Sequence, residues 1–513
     1  MRSLLIAAAL TLGVPALAQD SGPRTATATV RGDTPGAKID RRIFGQFAEH
    51  LGTGIYGGIW VGPDSKIPNT RGYRNDVVAA LKALSVPLVR WPGGCFADEY
   101  HWREGIGPRS KRPTKINTTW GYVAEPNSFG THEFMEFAEL IGAEAYVSGN
   151  VGNGTPAEMA EWVEYMTAPA GTLADERAKN GRKAPWKLPY FGLGNELWGC
   201  GGEMRPEYAA DLTRRYGAFV KVPQGTKIAK IASGANASDY NWTEVMMRET
   251  ARRIDGIGVH YYTVPGTWGK KGSATDFDEE GYARTISKTL QMDEIIRKHS
   301  AIMDKYDPAK RVNLAVDEWG TWYDVEPGTN PGFLYQQNTV RDAIVTALNI
   351  NIFTRHADRV RMTNIAQMVN VLQAMILTDG PRMVLTPTYH VFEMYKPFQD
   401  ATVLPVELVS PWYAKDAWNM PAVSVSAARD TSGVVHVALV NVDPNRPATV
   451  SAALTGVTAT AVSGRVLTGA VQAYNGFDTP DRVRPVAFTG ATLANGRLTA
   501  TLPAASVVML TLR

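Results

Sequence analysis

Tyr190-Phe-Gly-Leu-Gly-Asn-Glu-Leu-Trp-Gly-Cys-Gly-Gly202 is the stretch from which the fold is read. Its first residues form a short apolar run, which reads as a buried strand. The run breaks at Gly194. Asn195 and Glu196 follow at once, before a glycine-rich turn holding Trp198 and Cys200. A carboxamide and a carboxylate therefore stand where a strand runs out, beside an indole that can form an apolar wall. In an eight-stranded parallel barrel, that end of the strand is where chemistry collects. The rest of the chain is then searched for a second carboxylate opposite Glu196.

Outward from this stretch, strand and helix patterns alternate from Ile43 to about Asn364. The strand candidates are residues 43–47, 87–90, 145–148, 190–193, 228–233, 256–260, 312–316 and 359–363. Helical spacing of apolar residues falls between them, at 75–84, 133–141, 156–166, 206–220, 243–254, 281–306 and 338–354. Eight such units predict a closed (β/α)8 barrel. The alternative, an open doubly wound sheet, would place a phosphate-binding glycine loop after the first strand. Here the first strand leads into Phe47-Ala48-Glu49-His50-Leu51-Gly52, which is not such a loop.

After a last short helix at 389–395 the composition changes. Residues 422–427, 434–442, 449–454, 464–467 and 498–512 read as strands, most of them alternating apolar and polar residues, between turns rich in Gly, Asp, Asn and Pro. This predicts an antiparallel β-sandwich. Thr25–Arg31 has the same strand character and is expected to join it. The expected organisation is a barrel over 41–396 and a sandwich built from 24–40 and 397–513.

The chain of 513 residues is too long for one ordinary core, in keeping with two domains. Hydrophobic content of 44% and charge of 20% are those of a soluble globular protein. Met1–Ala18 carries one arginine, an apolar run and Ala16-Leu17-Ala18, the pattern of a secretory signal cleaved after Ala18. The run is too short to serve as a membrane anchor. Removing it takes away Arg2, so the formal charge goes from +3 to +3 − 1 = +2. With no basic cluster, nucleic-acid binding has no support. The two cysteines, Cys95 and Cys200, both lie in glycine-rich turns after apolar strands. An exported chain could pair them. They have neither the histidines of a zinc site nor the His–Asn arrangement of a thiol nucleophile.

The barrel reading requires reactive residues just after strand ends, and they are found there. The first strand is followed by Glu49-His50, the second by Arg90-Trp91-Pro92-Gly93-Gly94-Cys95, and the third by Ser148-Gly149-Asn150. The fourth ends in Asn195-Glu196, the sixth in His260-Tyr261-Tyr262 and the seventh in Asp317-Glu318-Trp319, while the eighth leads to Asn364-Ile365-Ala366-Gln367. Two carboxylates facing each other suit glycoside hydrolysis, where one protonates the leaving oxygen and the other attacks the anomeric carbon or activates water.

With these motifs assembled, the chain resembles the clan A retaining glycosidases, and more specifically the family 51 α-L-arabinofuranosidases, over essentially its whole mature length. The resemblance implies Glu196 as general acid/base and Glu318 as nucleophile. It implies sugar contacts from Glu49, Asn195, Tyr262, Gln367 and Cys95, no cofactor, no metal, and a hexamer as a common assembly. Tyr262 is chosen over Tyr261 because strand alternation places it on the same face as His260. By the same alternation Asp317 should point away from Glu318, toward the helices. Glu49 has a second reading, as a structural partner of Arg90, and Arg90 is read as orienting carboxylates. Trp91, Trp198, Trp319 and Trp322 are read as packing beneath the site, with at least one against sugar. His50, His101 and His132 are read as hydrogen-bonded structure.

The function expected is thus an exported, periplasmic or secreted, exo-acting α-L-arabinofuranosidase acting on arabinose-containing glycans. Two alternatives are the same site acting on another glycoside, such as a β-xyloside or a glucan, and a non-catalytic carbohydrate-binding protein.

Overall fold

The computed structural model describes residues 24–513, so the expected signal segment 1–18 lies outside the described residues. The barrel strands are Gly45–Phe47, Leu88–Trp91, Glu144–Gly149, Tyr190–Leu193, Ala229–Asn236, Gly256–Thr263, Asn313–Thr321 and Val360–Ile365. They pair in that order and close, the eighth onto the first through Asn364 against Gly45 and Ile365 against Gln46. Every pairing in the ring is parallel. Leu88, Tyr146, Ile231, Ala315 and Met362 form a buried apolar plug, one residue from each of five strands, so the barrel is a packed core. The first strand starts at Gly45 because Arg41–Phe44 wind into a 3-10 turn, capped by the Asp40 carboxylate, which accepts from the Arg42 N–H.

Two expected elements divide. The single helix expected at 281–306 is two, Glu279–Thr289 and Gln291–Tyr306. Each buries its apolar face against a different neighbour. Tyr282 in the first donates its hydroxyl to the Val442 carbonyl of the sandwich, whereas His299 in the second bonds Thr243 of the helix Tyr240–Thr250. The stretch expected as one strand at 498–512 is Arg497–Leu502 and Ser506–Leu512, which lie in different sheets. Pro503 heads the turn between them, where its missing N–H removes a ladder donor.

The sandwich has a five-stranded and a six-stranded sheet. Arg24–Arg31 does join it, between Val406–Val409 and Ala448–Thr455. Its pairing with Ala448–Thr455 is parallel, an exception to the antiparallel pattern expected. The helix Val340–Arg355 is buried along its whole length up to Thr354 because it is covered by the barrel on one side and the sandwich on the other. Asn351 and Thr354 on this helix bond Ser424 and Ser426 of the sandwich. That double burial explains why apolar residues occur on every side of it, and its buried polar residues, such as Asp342, Asn351 and Thr354, are hydrogen-bonded.

Candidate active site

Glu196 and Glu318 both stand at the mouth of the barrel. One oxygen of each, together with a ring nitrogen of His260, lie within 4.8 Å of one another. Their surroundings are built by the neighbouring strand ends. Arg90, fully buried, donates from Nη1 to Glu318 Oε1 at 2.8 Å and to the Asp317 carbonyl at 3.0 Å, and from Nη2 to Asn195 Oδ1. Tyr262 donates its hydroxyl to Glu318 Oε2 at 2.9 Å. So Glu318 receives a guanidinium on one oxygen and a phenol on the other.

Glu196 is placed differently. Its φ is +42°, in the left-handed region that costs a non-glycine residue on the order of 1 kcal/mol or more. Oε1 meets His260 Nδ1 at 2.8 Å. Burial pushes its carboxyl above the usual range, and the nearby Glu318 charge adds to this, against the pull of His260 and Arg90. Burial alone would lower His260, but Glu318, Asp317 and Glu196 surround it and push it up to about 10.

Asp317 does not point at the helices. Its Oδ2 accepts from the buried Tyr146 hydroxyl at 2.9 Å, and Oδ1 lies 3.3 Å from His260 Nε2. The alternation fails because the seventh strand carries an extra residue. Val316 pairs Thr363 and Trp319 pairs Ile365, so three steps on one strand match two on the next. A bulge of this kind turns successive side chains toward the same side. As a result Asp317 and Glu318 both reach His260.

Glu49 is fully buried and does not touch Arg90, so the ion-pair reading of it falls. It accepts from the Gly94 and Phe96 N–H groups, from Trp120 Nε1 at 3.0 Å and from Gln367 Nε2 at 2.9 Å. Burial and the Glu318 charge raise its carboxyl to about 7. Gln367 Oε1 is buried without a partner. Gly93 and Gly94 are glycine because the carboxylates rest on them. A Cβ at Gly94 would stand 2.6 Å from Glu318 Oε1, and one at Gly93 would stand 2.7 Å from Glu49 Cγ.

Cys95 is bonded to Cys200 and has no thiol proton, so the hydrogen bond expected from a thiol there is ruled out. The four tryptophans divide. Trp91 and Trp319 are fully buried and bond His50 and Thr363, whereas Trp198 and Trp322 line an open cleft of about 690 Å³ that begins at Glu196. Trp268, 60% exposed, stands on the same cleft with its ring 5.3 Å from that of Trp322. His50, His101 and His132 are bonded to Glu125, Glu158 and Tyr165 as structure.

Sequence reasoning missed His260 and Trp120. His260 was passed over although its parity with Tyr262 placed it on the inner face. Trp120 sits in a hairpin between the second strand and its helix, from which no local pattern leads to Glu49. Among the described residues, two sets of ligand atoms lie close enough together for a cation: Cys95, Glu196 and Cys200, whose sulfurs are spent in the disulfide, and Glu196, His260 and Glu318. The Arg90 guanidinium already balances Glu318, and a protonated His260 offers no lone pair.

A parallel barrel with two facing carboxylates at the ends of its fourth and seventh strands defines a barrel glycoside hydrolase. Two family models match, the α-L-arabinofuranosidase 1 domain over residues 80–280 and the α-L-arabinofuranosidase C-terminal domain over 317–506. An intracellular exo-α-L-arabinofuranosidase of Bacteroides ovatus is 51% identical over 496 residues, 96% of each chain. The crystal structure of the GH51 arabinofuranosidase from Xanthomonas axonopodis pv. citri superposes with a TM-score of 0.95 at 61% identity, covering 96% of this chain and 100% of that one. An α-L-arabinofuranosidase from Thermotoga maritima, in complex with arabinose, superposes with a TM-score of 0.83 at 29% identity over 95% and 99% of the two chains. The chain belongs to the family 51 α-L-arabinofuranosidases.

Proposed function

We propose that this is an exported, exo-acting α-L-arabinofuranosidase that releases terminal arabinofuranose from arabinose-containing glycans with retention of configuration. The observation that supports the mechanism is that one oxygen of Glu196 and one of Glu318 lie within 4.8 Å of each other, a nearest-atom approach that sets the two carboxyl groups close together. Retaining enzymes hold their carboxyl groups roughly 5–5.5 Å apart, and inverting ones roughly 6.5–9.5 Å, to admit a water. In the first step Glu318 attacks the anomeric carbon as Glu196 gives its proton to the departing oxygen. In the second, Glu196 takes a proton from water, whose oxygen displaces Glu318. The environments suit these roles: Arg90 and Tyr262 bond the two oxygens of Glu318, and burial raises the carboxyl of Glu196.

Asn195 has its Oδ1 occupied by Arg90, which leaves its NH2 to donate to the sugar 2-hydroxyl. Glu49 and the unpartnered Gln367 Oε1 supply acceptors for other hydroxyls. Cys95 can offer only an apolar sulfur surface. The cleft of Trp198, Trp268 and Trp322 takes the leaving-group side of the substrate.

NMR of the first product from an aryl α-L-arabinofuranoside tests the course. The α-anomer should form first, and the β-anomer would overturn retention. A panel of aryl glycosides tests the sugar, and faster turnover of a β-xyloside would favour the alternative glycoside. Export is supported by the Met1–Ala18 pattern and by the Cys95–Cys200 bond, which persists in oxidising compartments. The Bacteroides ovatus relative is named intracellular. N-terminal sequencing of the protein from fractionated source cells should find Gln19 first, outside the cytoplasm. An uncleaved cytoplasmic chain defeats the export claim. A hexameric assembly belongs to the same proposal and is read from the mass in solution.

A further inference from the structure

Cys200 lies four residues after Glu196, and the bridge reaches back 105 residues to Cys95, in the 3-10 turn Cys95–Glu99 that follows Gly94. The two sulfurs stand 3.9 Å (Cys95) and 3.6 Å (Cys200) from Glu196 Oε2. Neither has a proton, so both contacts are van der Waals and cover one side of that oxygen without offering it a bond, while the side chain keeps 17% exposure toward the open cleft. The other oxygen is held by His260. The same turn grips the loop a second time. Asp98 Oδ2 accepts the Asn195 N–H at 2.7 Å, while Oδ1 accepts the Val151 and Gly152 N–H groups at 2.7 and 2.9 Å. The segment so held contains the left-handed Glu196, whose backbone would otherwise relax toward a commoner conformation.

We propose that the Cys95–Cys200 bridge is a positioning element for the reaction: it fixes Glu196 against His260 and keeps water from one side of Oε2, so that the residue is held ready as a proton donor. This rests on the reading of Glu196 as the acid/base. The charged and titratable groups facing Glu196 are His260, Glu318, Arg90 and Tyr262, all on other strands and none of them bonded to either cysteine. Water admitted to Oε2 stabilises the carboxylate and lowers the pH at which the proton is lost.

The test uses the mature chain. Cys95→Ala/Cys200→Ala is compared with wild type, and with wild type reduced by a water-soluble phosphine. There the disulfide gains two electrons and two protons to give two thiols, and the phosphine takes oxygen from water. Cys200 is exposed, so the reagent has access. Loss of the bridge should lower kcat/KM for an arabinofuranosyl oligosaccharide by roughly ten- to a hundredfold, within the range of general acid catalysis. A dinitrophenyl arabinofuranoside, which leaves with little protonation, should fall no more than about threefold. The alkaline limb should move to lower pH, and reoxidation of the reduced wild type should restore both. An equal fall for both substrates with a lower unfolding temperature makes the bridge a staple of the fold alone and overturns the proposal, as does an unchanged pH profile. The Glu196→Ala variant separates the two ideas. If it shows no leaving-group dependence, the acid/base reading itself fails. If it does and the bridge variants do not, only the present inference fails.

Discussion

The fourth and seventh strands end in the same way, with a glutamate at the rim of the barrel, and then diverge. Glu318 stays within its strand, paired with His260 where the ladder shifts register, held by a cation and a phenol. Glu196 leaves its strand through Gly194 into a left-handed turn, held by an imidazole and two sulfurs and tied down by a disulfide. One environment supplies a buried guanidinium and a phenol, one to each oxygen. The other supplies the His260 ring on one oxygen and sulfur on the other, and burial there raises the carboxyl against the pull of His260. Under the proposed mechanism, identical side chains take opposite roles because of what surrounds them.

The sharpest way to break this contrast is to remove Glu318. Glu318→Ala should lower kcat for an aryl arabinofuranoside by a factor on the order of 10⁴ or more, with an unchanged circular dichroism spectrum. Activity close to wild type would exclude it as the nucleophile. Next comes Glu196→Ala, which should cost about 10²–10⁴ on natural oligosaccharides and far less on aryl substrates with good leaving groups. Equal losses would put the acid elsewhere.

Arg90→Met should leave Glu318 and Asp317 without their buried cation, at a cost of about 3–5 kcal/mol of stability by denaturant titration. A change under about 1 kcal/mol would show that His260 alone balances them. Tyr262→Phe removes one hydrogen bond to an ionised oxygen and should cost about 1.5–3 kcal/mol in transition-state stabilisation, measured as kcat/KM. The smallest and most diagnostic effect is in pH. Glu196 must be protonated to act, and its carboxyl is raised, so activity is present below its pKa and is lost as pH rises through it. The alkaline limb of kcat/KM should therefore lie above the ordinary carboxylate range, and an alkaline limb within that range would contradict the apolar cover.

Most of the mouth was legible one strand at a time, because parallel barrels put reactive groups just past strand ends. Arg90, Tyr262, Asn195 and the two glutamates were all found by that rule. The errors arose where the local rule breaks. Alternation sent Asp317 the wrong way because a bulge is a property of two strands in register, and one strand does not show it. Glu49 was offered two partners because nothing near it in the chain reveals Trp120 or Gln367. The pairing of Cys95 with Cys200 was left open because 105 residues separate them and no local pattern brings them together.

Order along the chain, then, was enough to determine eight strand–helix units, a β-sandwich sharing both ends of the chain, and which residue types crowd the barrel mouth. These follow from periodicity and from glycine breaks, which act over a few residues. The tertiary structure alone decided which of two equivalent carboxyl groups meets a guanidinium and a phenol, and which is buried between an imidazole and two sulfurs with its carboxyl raised. That depends on solvent exclusion and on partners brought from other strands, neither of which has any local signature.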